Sequence, residues 1–184
     1  VYKSAGIIPT LYGARVSLRP LSAAHAAVLY EIWTHPAVGL WLDAPPLASA
    51  AEAEQLIELL LQMSREEESL RWSIVLPGGE IIGSCGFNQW QLAGAYRGEL
   101  GCELSPSCWG QGYMREALAL LLEFGFVTMG LNRIEALCHP DNLRAAGLFR
   151  ALGFSEEGIM RQYRHTASGF QDTALFALLR SDRI

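Results

Sequence analysis

Apolar positions along this chain recur in two periods, and each period predicts one kind of element. Alternation of period two marks RVSLR (15–19), LRWSIVL (70–76), EIIGSCGF (80–87) and RGELGCEL (97–104) as strands. Pro20 stops the first, and Pro77-Gly78-Gly79 is a hairpin signal between the second and third. In 97–104 the alternation sets Glu99, Gly101 and Glu103 on one face and Leu100, Cys102 and Leu104 on the other. Helical spacing covers 22–34, 50–64 and 112–128. Ser49 and Glu52 form an S-x-x-E capping box ahead of the second of these, and a charged REEE run closes it. NRIEALCH (132–139) is a further strand. Asp141 or Asn142 caps a helix that runs to Leu152 and ends at Gly153. Strands at 154–164 and 172–180 flank a turn with Ser168-Gly169. The order β-α-α-β-β-β-α-β-α-β-β predicts a mixed α/β sheet with helices on both faces, in a single domain over 15–184 after an N-terminal extension, 1–14.

Composition narrows the classes. With 184 residues and 51% hydrophobic residues the chain can bury a sizeable core. Nineteen acidic against 14 basic residues give a net charge of -5, which argues against a nucleic-acid partner. No apolar run reaches the ~20 residues of a membrane span, and the N-terminus has no signal-peptide core. Cys85, Cys102, Cys108 and Cys138 form no CxxC pair and no zinc spacing with histidine, so they read as free thiols in a reducing, cytoplasmic setting, with no metal. His25, His35, His139 and His165 form no triad pattern, and GSCG (83–86) lacks the serine of a hydrolase elbow.

Two segments carry candidate chemistry. Gly110-Gln111-Gly112 stands between a strand and a helix. It is either a plain turn or an anion site, where free N–H groups and the helix dipole meet a phosphate. It matches neither G-x-G-x-x-G nor a Walker loop. In HPDNLRAAGLFRALGF (139–154), Asn142 is a cap or a ligand to an extended polar chain, and Phe149 is core or cofactor contact.

Together the strand 97–104, the WGQGYM loop, the strand 132–138 and N-x-x-A-x-x-L-F-x-x-L-G-F resemble the acetyl-CoA-binding half of the GNAT N-acetyltransferase superfamily. RVSLRPLSAAHAAVLYEIWTHPAV and GFSEEGIMRQYRHTASGFQDTALFALLRSDR resemble its RimJ/RimL-like branch, which includes N-terminal acetyltransferases of ribosomal proteins. The resemblance runs from about Arg15 to Arg180. It implies a GNAT fold: a mixed, mostly antiparallel, splayed sheet of about seven strands. It implies acetyl-CoA as co-substrate, with Trp109, Gly110, Gln111, Gly112, Tyr113 and Met114 around the pyrophosphate. Leu104, Asn142 and Phe149 would line the pantetheine arm. The chain departs from the pattern at Ser107, at Ala145, at Phe149 where many members have Tyr, and at Arg164 near a position where some have a catalytic Glu.

Acetyl transfer needs a neutral amine, a polarised carbonyl and a departing thiolate. A thiol of pKa ~8.5 leaves without a dedicated acid, and an α-amine of pKa ~7.7–8.0 is neutral far more often than a lysine at ~10.4. Sparse base machinery therefore favours an α-amine. Glu99, with Glu103 beside it on one face, is the candidate general base, or both are ordinary strand carboxylates. Trp33, Trp41, Trp90 and Tyr163 are candidates for the acceptor wall, or core residues. The acceptor is expected to be a primary amine, most simply a protein N-terminus. A small amine, amino acid or antibiotic, and a catalytically silent acyl-CoA-binding module, stay open as alternatives. So does a monomer against a homodimer.

Overall fold

A computed structural model describes residues 1–183. Its centre is one sheet of eight strands. They are β1 (Leu11–Tyr12), β2 (Ser17–Pro20), β3 (Leu70–Val75), β4 (Ile81–Gln91), β5 (Arg97–Leu104), β6 (Arg133–Cys138), β7 (Ser155–Thr166) and β8 (Gly169–Leu179). Their order in space is β1-β2-β3-β4-β5-β6-β8-β7. Every neighbouring pair is antiparallel except β5 and β6. The helices are α1 (Ala26–Thr34), α2 (Pro36–Gly39), α3 (Ala50–Arg65), α4 (Tyr113–Glu123) and α5 (Leu143–Ala151).

The faces of β5 separate as its alternation predicts. Leu100 and Leu104 join the main core with Phe87 of β4, Leu118 and Leu121 of α4, and Phe149 of α5. A second core of Leu29, Ile32 and Trp33 from α1 with Ala53 and Ile57 from α3 covers the opposite face. There the sheet presents polar side chains: Arg71, Ser73, Ser84 and Glu99 are all buried. The apolar half of the sheet thus anchors α4 and α5, and the polar half lies under α1 and α3.

Local chemistry accounts for the boundaries. Ser49 caps α3 by accepting from Glu52 N at 3.2 Å, while Glu52 reaches back to Ala48 N at 2.7 Å. The run after Glu123 leaves α-geometry and closes as a π-turn over Phe124–Thr128. Two strands extend further than the alternation suggests. β4 continues to Gln91 because a bulge at Asn88 lets pairing with β5 resume at Gln89↔Glu99. The β7–β8 hairpin is longer because its strands pair up to Thr166↔Gly169 around a tight turn. Residues 1–14 are docked on the sheet and on the C-terminal end of α3. β1 pairs with β2, Trp72 Nε1 donates to Pro9 O at 2.7 Å, and Ser4 N donates to Glu67 at 2.8 Å.

Candidate active site

The parallel pairing of β5 with β6 is short. It runs from Arg97↔Arg133 to Leu100↔Ala136 and stops. Each strand nevertheless continues against its other neighbour, β5 to Gly83↔Leu104 and β6 to Cys138↔Ala174. The two strands therefore diverge, and a cavity of about 930 Å³ opens between and beside their ends. Ser105 N–H turns away from the gap to Ile82 O at 2.7 Å. Strand alternation then turns the peptide groups of Leu104 and Cys102 towards the gap. Leu104 O accepts from Trp109 Nε1 at 2.9 Å, and strand geometry turns the N–H of a residue to the same side as its carbonyl.

The loop after β5 forms one end of this cavity. Gly110 and Gly112 have φ of 73° and 82°, the left-handed region that favours glycine. A Cβ at Gly110 would meet no heavy atom within 4 Å. Among the described residues, the main-chain N–H groups from Gly110 to Arg115 meet no protein acceptor, and Gly112 caps α4 without a side chain. Successive free N–H groups at a helix N-terminus suit an anion. Cationic side chains gather round them. Arg15 donates to Gln111 O at 2.9 Å, Arg144 stacks on the Trp109 ring at 3.7 Å, and Arg115 lines the cavity. Glu116 fixes Arg15 by accepting from its N at 2.6 Å and its Nε at 3.0 Å. Burial works to raise the Glu116 pKa, but the donors from Arg15 and Val16 outweigh it and hold the carboxyl below its ordinary value.

The polar face of β5 forms the other end. Glu99 is only 8% exposed and lines the cavity. Asn88 Nδ2 donates to its Oε1 at 3.3 Å and Gln89 Nε2 to its Oε2 at 3.0 Å. The bulge at Asn88 makes this possible, because two consecutive β4 residues there oppose the single residue Glu99. Gly101 leaves the room, since a Cβ on it would stand 2.6 Å from Asn88 Oδ1. Arg71 Nη1 donates to that same Oδ1 at 3.0 Å, which commits the Asn88 amide nitrogen to Glu99. Glu103 is engaged differently. It is ion-paired with Arg71 Nη2 and accepts from Ser84 Oγ at 2.7 Å. Burial works against the Arg71 charge, but Glu103 beside it outweighs burial and raises the Arg71 pKa.

Of the acceptor-wall candidates, Trp33 and Trp41 line the cavity. Trp33 is buried and donates from Nε1 to Ser84 Oγ at 3.4 Å, so it is also core. Trp90 and Tyr163 lie elsewhere. Trp90, past the Asn88 bulge, packs on the main core and lines a small separate hollow. Tyr163 is 52% exposed because β7 bulges, with residues 161–163 opposite Asp172 alone. That bulge brings Arg164 to the cavity instead, ion-paired with Asp43 and 3.9 Å from Glu99 Oε1. Of the loop residues, Gln111 turns its side chain away to Ser107 O at 3.0 Å. Asn142 lines the cavity and caps α5 at once, accepting from Ala145 N at 3.1 Å. Phe149 lines the cavity and packs on Phe176 at 5.5 Å. Arg15, Arg71, Asn88, Gln89 and Arg144 escaped the sequence reading. The residue types offered only a charge count, and the pairings arise from folding.

Residues 15–155 match the Acetyltransferase (GNAT) domain model. The chain is 33% identical over 174 residues to an uncharacterized N-acetyltransferase, p20, of Bacillus licheniformis, covering 94% of this chain and 97% of that protein. It is 31% identical over 103 residues to the ribosomal protein uS5-alanine N-acetyltransferase of Escherichia coli, covering 56% and 53%. The structure of Mycobacterium smegmatis RimJ in complex with CoA-disulfide superposes with a TM-score of 0.88 at 24% identity, covering 97% and 90%, which shows the shared fold. The splayed sheet and open glycine loop are thus those of a GNAT acetyltransferase, and the chain belongs to that family. It is an N-acetyltransferase whose fold is of the RimJ/RimL type.

Proposed function

We propose that this protein transfers the acetyl group of acetyl-CoA to the N-terminal α-amine of a protein or peptide, with Glu99 as general base. The observation that carries the reading is Glu99 itself: a nearly buried carboxylate, fixed by two donors, beside the divergence of β5 and β6. The RimJ structure is a complex with CoA-disulfide, and a relative is named for acetylating an alanine of a ribosomal protein.

The residues present fit coenzyme A. The N–H groups of Gly110 to Arg115, with Arg15, Arg115 and Arg144, would hold its phosphates. The gap-facing peptide groups of Cys102 and Leu104, with Asn142 and Phe149, would hold its pantetheine arm. When bound, the group supplies an acetyl thioester. The Leu104 N–H then polarises the thioester carbonyl. Glu99 accepts the proton of the attacking amine, directly or through one water, as the N–C bond forms and the C–S bond breaks. Phe149 has no proton to give, and none is needed for a thiolate of pKa ~8.5. The nearby thiols do not compete. Burial pushes Cys102 up to about 12 and Cys138 up to about 11, so both stay protonated at neutral pH.

The test is thiol release from acetyl-CoA with N-terminal peptides and with polyamines or amino acids as acceptors. Turnover on peptides with a free α-amine, and none when that amine is blocked, supports the reading. Turnover confined to small amines moves the acceptor class. Coenzyme A binding without any turnover leaves only a binding module.

A further inference from the structure

We infer that the acceptor carries a bulky apolar group next to its amine; this rests on the acetyl-transfer reading above and refines its substrate. Part of the cavity wall is apolar. Trp41, Leu42, Pro45, Pro46, Leu47 and Leu60 all line it. Trp41, Leu42, Leu47 and Leu60 are half-buried, each leaving apolar surface towards the cavity. Such surface favours an apolar partner, because covering it removes it from water.

Polar recognition on this wall is scarce. From 41 to 47 the one charged side chain is Asp43, and Arg164 already holds it; the other polar group on a side chain there is the Trp41 indole N–H. Pro45 and Pro46 have no N–H, so those positions donate no hydrogen bond to the substrate. A serine or threonine side chain placed here would cover less of this apolar surface than a larger apolar group would.

The wall also stands next to the reacting groups. Asp43, between Leu42 and Ala44, connects through Arg164 to Glu99, with the last step 3.9 Å. Trp41 lies 5.7 Å from the ring of His139, the residue that follows β6 at the gap. An amine placed at Glu99 therefore has the apolar wall within reach of the group on its own α-carbon. At about 930 Å³ the cavity lies near the top of the ~300–1,000 Å³ range of small-molecule sites, which leaves volume for a large group beside a pantetheine arm.

The experiment measures kcat/KM for peptides alike except at residue one, which is Leu, Met, Phe, Ala or Ser, together with leucine amide and phenylalanine amide. Each buried methylene discriminates by ~10-fold or more, so Leu, Met and Phe peptides should exceed Ala and Ser peptides by at least ~10-fold. Trp41→Ala should lower that preference chiefly through the acceptor KM, and Leu42→Ala serves as a second variant should the first fold poorly. Equal or better turnover of the Ala or Ser peptide overturns the inference. Turnover of the two amides with no peptide reacting supports it while overturning the peptide reading. A preference unchanged in both variants overturns the placement on this wall.

Discussion

Asn88 donates its amide hydrogen to Glu99 Oε1 at 3.3 Å across a β-bulge, and Arg71 decides which end of the amide is presented. Arginine only donates, so its bond to Asn88 Oδ1 leaves Nδ2 for the carboxylate. Glu103 holds Arg71 in turn. The two carboxylates that share a face of β5 are therefore the two ends of one hydrogen-bonded chain, with different tasks.

Changing Asn88 tests the chain where it meets the base. Asn88→Asp places a second negative charge beside Glu99, which disfavours ionisation of both. The acid limb of the pH profile of kcat/KM should move to higher pH, and Asn88→Ser should move it less. A limb that stays in place in Asn88→Asp would mean that Glu99 does not titrate in the reaction.

Glu99→Gln removes the base and keeps the shape. Turnover at neutral pH should fall by ~10²–10⁴-fold. The deficit should shrink above pH ~8, where an α-amine is largely neutral without help. A ratio of variant to parent rates that is flat with pH would exclude proton transfer to this side chain.

Glu103→Gln should act on stability. Removing one partner of a buried ion pair leaves the other charge uncompensated, at a cost of ~3–5 kcal/mol. Denaturant unfolding should show that loss, with coenzyme A affinity little changed in the fraction that folds. A stable variant with impaired chemistry would reverse the assignment of Glu99 and Glu103.

Gly112→Trp tests the loop. Gly112 has φ 82°, and a Cβ there would stand 3.1 Å from Arg15 Nη2. The indole should disturb the anion cradle while the cores stay intact. Coenzyme A binding by calorimetry should drop by at least ~10-fold, about 1.4 kcal/mol, with an unchanged far-UV circular dichroism spectrum. Undiminished binding would place the phosphates elsewhere.

The Glu116 carboxyl is held below its ordinary value of 4.5 in the folded protein. A lowered folded pKa contributes stability that is present above the unfolded value and lost as pH falls through the folded one. Glu116→Gln should thus be less stable than the parent at pH 7, and the difference should shrink towards pH ~3. A constant difference would show that hydrogen bonding without charge accounts for the effect.

The sequence was informative where order is local. The 97–104 strand, its two faces, the Ser49 cap and the glycine turn ahead of α4 all follow from residues a few positions apart. What it hid are the bulges. Alternation assigns faces only while the register holds, and one extra residue re-aims those that follow. Asn88 and Gln89 join on Glu99 through one such bulge, and the β7 bulge exposes Tyr163 and brings Arg164 to the cavity. The Arg15–Glu116 contact spans 101 positions, which no periodicity registers. Trp33 shows that the two readings of a tryptophan need not exclude each other, since it packs in a core and lines the cavity.

The short β5–β6 pairing also bears on how the molecule comes apart. It joins the five strands β1–β5 to the three strands β6, β8 and β7 by a seam that ends at Leu100↔Ala136. Beyond that point no β5–β6 pairing holds the two halves together, and they are joined through the shared main core. A molecule bonded to both edges acts as mortar. At a hundredfold excess over its Kd, a ligand bound only by the folded state adds about 2.7 kcal/mol to the free energy of unfolding. Here that gain should be concentrated at the seam, slowing amide exchange in residues 101–104 and 137–138 more than in the β3–β4 hairpin. The co-substrate would then be a folding partner of the enzyme as well as its reagent.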